Sequence, residues 1–352
     1  MQHPSGKMGH RAAESQRNTQ FNARLLLCML FSVALWLCGP LTAAGLAQKE
    51  KAEPAAKLPL KVPVWVEQPD GQFWLDGKRQ SFKLFVEEKE IPLKTVQGPR
   101  TPTILLVVFD TVADLARVDD ARRLLAERID ALAGNYWIGL LRSQDGLSVI
   151  QEPTADRKLL IEKIQSIPVT GKAGLLDALD PVASLATGML RKAGVRIAVL
   201  YVTDSGIANY RADYLNPVIN ASDAGDLSRR FSDRAVQEQM SRLAEGLAKY
   251  TPPIFILHLL QRSDTMNLAY QSGLERIAAA SGGAAVFCRT NDEIPPSLDA
   301  MLRQIDATYF LGFDPPAGKK KNAVRLRVEA LDAAGQPLER ITHRPQAPAD
   351  RK

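Results

Sequence analysis

Cysteine and histidine are scarce in this 352-residue chain, at three and four residues. Cys28 and Cys38 lie within residues 1–47, which leaves Cys288 alone in the remainder. A single thiol forms no intramolecular disulfide, so the fold must stand on its core. Cys288 closes the apolar run Ala284-Ala285-Val286-Phe287 and reads as a buried structural thiol. Only His258 and His343 lie beyond the same leading stretch. His258 sits inside Phe255-Ile256-Leu257-His258-Leu259 and reads as a satisfied core or strand-end histidine. The chain also lacks a G-x-S-x-G elbow, an H-E-x-x-H pair, a C-x-x-C pair and a dinucleotide fingerprint. Gly171-Lys172 resembles a phosphate-loop fragment, but the upstream glycine is missing and Ala173 replaces the Ser or Thr. An enzyme is therefore not expected.

Excess charge of one sign is missing as well, once the leader is set aside. The formal net charge is +6. Lys7, Arg11, Arg17 and Arg24 precede an apolar run from Leu25 to Cys38, followed by Pro40 and the small residues around Gly45-Leu46-Ala47. This is the pattern of a signal peptide over 1–47. The run is shorter than the ~20 residues of a membrane-spanning helix, and an uncleaved anchor is the alternative. Beyond residue 47 there remain 41 Lys and Arg against 38 Asp and Glu. No dense basic face for phosphates is indicated, so no nucleic acid is expected. Contact with a membrane is expected only through an uncleaved leader, and the location is exported, periplasmic or extracellular.

Residues 48–57 are charged and proline-broken and read as a linker. Val62, Val64 and Val66 alternate, Asp70-Gly71 turns the chain, and Phe82, Leu84 and Val86 alternate again. Residues 58–99 thus read as a small β unit. The run Ile104–Phe109 is unbroken, as a strand covered on both faces requires. Strand and helix patterns then alternate as far as Tyr309-Phe310-Leu311-Gly312-Phe313, which reads as the last strand of the series. The expected fold is α/β over 103–314, a doubly wound, mostly parallel open sheet with helices on both faces, Rossmann-like. Val324–Val328 and Arg340–Thr342 read as a hairpin-like extension over 315–346, packing beside 58–97, and 347–352 as a tail. Together the flanking segments form a small β appendage.

Ligands of open parallel sheets bind at the carboxyl ends of the strands. There lie Asp110-Thr111-Val112-Ala113-Asp114, Thr170-Gly171-Lys172-Ala173-Gly174 and Thr203-Asp204-Ser205-Gly206. Acidic and hydroxyl groups converging on one edge suit a hard divalent cation. With Leu105–Asp110, Gly174-Leu175-Leu176-Asp177-Ala178-Leu179, Leu200–Asp204, Ala279–Phe287 and Tyr309–Pro315, the chain resembles the von Willebrand factor type A domain of bacterial exported proteins. The resemblance implies a protein-binding or assembly module with a metal-ion-dependent adhesion site, written Asp-x-Ser-x-Ser, Thr and Asp in three loops. Here Asp110 and Asp204 match. Val112 and Asp114 replace the two serines, and Ala173 replaces the threonine. The degenerate set Asp110, Asp114, Asp204, Thr170 and Ser205 remains a candidate for Mg²⁺ or Ca²⁺. The alternative is that Asp110 and Asp204 cap local backbone amides. The long connection 207–230 holds Asn209, Tyr210, Arg211 and Tyr214, residue types enriched at binding hot spots, and is the candidate surface for a protein partner. Two other readings stay open: a scaffold that binds nothing at the sheet edge, and an enzyme on the same sheet.

Overall fold

The computed structural model describes residues 59–192, 194–210, 233–314 and 323–348. The leader expected over 1–47, the linker over 48–57, and Arg211 and Tyr214 lie outside these residues. The first four strands are β1 (Leu60–Glu67), β2 (Phe82–Val86), β3 (Lys89–Ile91) and β4 (Leu93–Gln97). The α/β series follows as β5 (Thr103–Asp110), α1 (Leu115–Ala131), β6 (Tyr136–Arg142), β7 (Ser148–Thr154), α2 (Arg157–Gln165), α3 (Leu175–Lys192) and β8 (Arg196–Thr203). After a 3-10 turn at Ile207–Tyr210 come α4 (Asp233–Leu247), β9 (Ile254–His258), α5 (Thr265–Ser281), β10 (Ala285–Phe287) and α6 (Ile294–Ala307). The last strands are β11 (Tyr309–Phe313), β12 (Ala323–Ala330), β13 (Arg340–His343) and β14 (Gln346–Pro348).

The central sheet runs β10-β9-β8-β5-β6-β7. All pairings are parallel except that of β7 with β6. Counted along the α/β series this is the doubly wound 3-2-1-4-5-6 order, with the single antiparallel strand at one edge. Alternate residues of β5 and β8 feed two separate cores, as the pleat demands. Leu106, Val108, Val199 and Tyr201 pack with Leu175 and Leu179 of α3 and with Leu274 and Ile277 of α5. Leu105, Val107, Phe109 and Leu200 pack with Val118, Leu125 and Ile129 of α1 and Leu298 and Met301 of α6. Burial on both faces is why the sequence of β5 shows no polar break.

The same logic misplaces Tyr309–Phe313 in the sequence. β11 is not a strand of the parallel series; it lies antiparallel between β1 and β4 in a second sheet, β13-β1-β11-β4. Only Thr308 separates it from α6, so the chain does not cross back to the parallel sheet. Phe310 faces the α/β core, while Tyr309, Leu311 and Phe313 face a third core. A strand buried on both sides reads alike in either sheet. A third sheet, β14-β12-β2-β3, closes that core with Phe82, Leu84, Val86, Val324, Leu326 and Val328. The flanking segments and β11 thus build a two-sheet β unit. β12 and β13, expected as a hairpin, pair in different sheets: β12 with β2 and β14, β13 with β1.

Candidate functional site

β5 and β8 lie side by side at the middle of the sheet, with Asp110 opposite Thr203 in register. Parallel pairing therefore delivers both strand ends, Asp110 and Asp204, to one carboxyl edge. Each is fully buried, together with Thr111, Ser143, Gln144, Thr203 and Ser205. A buried carboxylate needs donors, and the two find them differently.

Asp204 turns to the backbone. Its Oδ1 accepts from Val112 N at 2.7 Å, and its Oδ2 accepts from Ala113 N at 2.8 Å and Asp114 N at 2.6 Å. Three consecutive amides ahead of α1 thus close on one side chain. Asp110 turns to side chains and one glycine. Its Oδ1 accepts from Ser143 Oγ at 2.9 Å and Gly174 N at 2.8 Å. Its Oδ2 accepts from Tyr210 OH at 3.1 Å and Thr203 Oγ1 at 3.4 Å. Gly174 has to be glycine here, because a Cβ would stand 1.9 Å from Ser143 O. Burial raises the Asp110 carboxyl above the usual carboxylate range, while the Gly174 amide and the neighbouring hydroxyls pull it down.

A second layer holds the first. Ser205 Oγ lies 2.9 Å from Thr203 Oγ1, 3.0 Å from Tyr210 OH and 3.4 Å from Tyr270 OH. Burial pushes both phenols well up. His258 Nε2 meets Ser205 O at 2.9 Å, and His258 Nδ1 accepts from Leu260 N at 3.3 Å. That pair of bonds fixes the neutral ring with its proton on Nε2. Burial brings its pKa down to about 4, against the opposing pull of Ser205 O and Asp204.

The five residues of the expected metal set do not form one oxygen cage. Asp114 caps α1: it accepts from Arg117 N at 3.1 Å and pairs with Arg117 Nε at 3.3 Å. Thr170 is exposed in the loop before α3. Val112 and Ala173 pack hydrocarbon against the α/β core where the resemblance places hydroxyl ligands. Both oxygens of Asp110 and of Asp204 already accept from protein donors. Such a set does not fit a hard cation: water can supply several of its ~6 oxygens, but the carboxylates that must anchor it are turned to N–H and O–H donors. Among the described residues, no group of three His, Cys, Asp or Glu side chains stands ready for a metal.

Of the expected partner-binding residues, Asn209 is exposed, and its Oδ1 accepts from Gly206 N at 2.7 Å. Tyr210 is the correction: it is buried in the Asp110 cluster and unavailable to a partner. Sequence reasoning also missed Ser143, Gln144 and Tyr270. Ser143 carried a usable signal, since it directly follows β6, the strand next to β5.

No family model and no curated protein matches the chain. Solved structures do. One is a von Willebrand factor type A protein from Catenulispora acidiphila, at 11% identity and TM-score 0.41, over 85% of this chain and 76% of that one. Another is the PilB minor pilin from Streptococcus sanguinis, at 14% identity and TM-score 0.42. That match covers 59% of this chain and 62% of the pilin. A third is BatB from Bacteroides thetaiotaomicron, at 13% identity and TM-score 0.36, over 58% of this chain and 98% of that one. The fold is described by the chain's own strand order, a doubly wound, mostly parallel six-stranded sheet with helices on both faces.

Proposed function

We propose that the chain is an extracytoplasmic protein-binding or assembly module whose contact face is the carboxyl edge of the parallel sheet. One observation carries this reading. Leu115, at the start of α1, is 60% exposed, Leu268, in the first turn of α5, is 48% exposed, and Leu147, in the β6–β7 turn, is 38% exposed. All three elements leave the sheet at the same edge, where side chains of this size otherwise retreat into the cores. Exposed apolar groups gathered at one end of a domain, with arginines such as Arg262 and Arg289 among them, are what a protein partner covers. The leader over 1–47 supports export.

The bonding of the two acids supports a narrower role for them, as braces that shape the loops rather than as ligands. No reaction is assigned to the site. In-cell cross-linking tests the reading: adducts of the wild-type chain should disappear when Leu115, Leu147 and Leu268 are all changed to Ser. They should persist in Trp137→Ser, an exposed aromatic early in β6. Adducts that survive the triple change would sink this assignment of the contact face.

A further inference from the structure

We propose that Tyr210 is an internal ligand: its phenol hydroxyl, with those of Ser143 and Thr203, holds the Asp110 carboxyl in the place of a cation, so that the sheet edge is set without metal.

A buried carboxylate is held either by a positive charge or by several converging donors. At Asp110 four donors converge, two on each oxygen: Ser143 Oγ and Gly174 N on Oδ1, Tyr210 OH and Thr203 Oγ1 on Oδ2. One assignment of hydroxyl protons leads through the cluster to the carboxylate and leaves only the 2.9 Å contact between Thr203 Oγ1 and Ser205 Oγ without a proton. Tyr270 donates to Ser205, Ser205 to Tyr210, and Tyr210 to Asp110. Thr203 accepts from Ser205 N at 3.1 Å and donates to Asp110. Every hydroxyl in that chain uses its proton, and the carboxylate ends it. Among these four donors Tyr210 is the one supplied by the turn that follows β8, seven residues beyond the strand's last residue. It comes from the 3-10 turn Ile207–Tyr210, and its ring lies 6.0 Å from that of Tyr270. Its aromatic body occupies the space beside Oδ2 with hydrocarbon. The same contact ties the turn after β8 back to the end of β5, directly before residue 211.

Double-mutant cycles on the full chain test this, read as thermal midpoints in EDTA and again in 5 mM Mn²⁺, Mg²⁺ or Ca²⁺. Tyr210→Phe removes one hydroxyl and keeps the ring, so the midpoint should fall by roughly 2–6 °C. Tyr210→Phe combined with Asp110→Asn should cost clearly less than the sum of the two single changes, because both break one contact. A second cycle with Ser205→Ala should couple in the same sense and keeps the test open when Asp110→Asn does not fold. The wild-type midpoint should not respond to any of the three ions. Additive cycles, or a wild-type midpoint that climbs with a divalent ion and loses that response in Asp110→Asn, would overturn the proposal.

Discussion

Buried charge is handled in opposite ways at the two ends of the molecule. At the carboxyl edge of the parallel sheet the buried charges are acids, and N–H and O–H donors surround them. Where the β unit meets the α/β layers the buried charges are arginines, surrounded mainly by carbonyl oxygens, with the Asp306 carboxylate 3.7 Å from Arg196. Arg196, 1% exposed at the start of β8, donates to Pro99 O and Asp306 O at 2.7 Å and to Thr308 O at 2.9 Å. Arg344, equally buried just after β13, donates to Ala248 O at 2.6 Å and to the carbonyls of Tyr250 and Gln346. Burial lowers the Arg344 guanidinium to about 10. The peptide dipole serves both ends, as donor at one and acceptor at the other. The difference lies in reach. Asp110 and Asp204 organise loops within one sheet, whereas the arginines tie β13 to the end of α4, and β8 to the entry of β5 and the end of α6.

The largest effects should come from breaking either end outright. Asp204→Ala leaves the amides of residues 112–114 without their acceptor, and Arg196→Met takes the guanidinium from the carbonyls of Pro99, Thr101, Asp306 and Thr308. Each should cost about 3–5 kcal/mol in denaturant unfolding, since removing one partner strands the rest. A loss below about 1 kcal/mol for either would show that water takes over the role and that the two ends are not held alike.

Next in size is a pH effect at the acid end. The His258 ring is held neutral in the fold, with its pKa at about 4 against the ordinary 6.5. The unfolded chain therefore takes up a proton first as the pH falls. Stability that is complete above pH 6.5 should drain away between 6.5 and about 4, by about 3 kcal/mol at ~1.4 kcal/mol per unit. Asp110, shifted upward by burial, works in the opposite sense over the acidic part of that window. The difference between the wild-type and His258→Asn stability profiles isolates the histidine. Parallel profiles would refute its neutral, double-bonded state.

The smallest change sharpens the comparison within the edge. Asp114→Ala removes a helix cap and should cost about 1 kcal/mol, well below Asp204→Ala. Equal losses for the two would argue for the shared cage that the resemblance implies.

How far these residues could be read beforehand depends on what their neighbours in sequence reveal. The apolar run Ile104–Phe109 and the acids that follow parallel strands were legible, because strand burial and strand ends leave local patterns. Asp204 does accept from backbone amides, but from those of residues 112–114, 90 to 92 positions away, and not from the local ones the sequence suggested. Tyr210 was read as a surface residue from its type and its place in a long connection. Its burial follows from a contact 100 residues away, with Asp110, which no local pattern encodes. Ser143 was missed because it follows β6 and reaches Asp110 from 33 residues away, a contact no local pattern encodes. Tyr309–Phe313 was placed in the wrong sheet because a doubly covered strand carries no mark of its partners.

The most direct measurement is a Mn²⁺ titration of the full chain followed by electron paramagnetic resonance, with Asp110→Asn alongside. The account predicts that the signal of free Mn²⁺ falls no further with the wild-type chain than with the variant, because hydrogen-bond donors already fill both carboxylates. One equivalent of bound Mn²⁺ in the wild type, absent in Asp110→Asn, would contradict it.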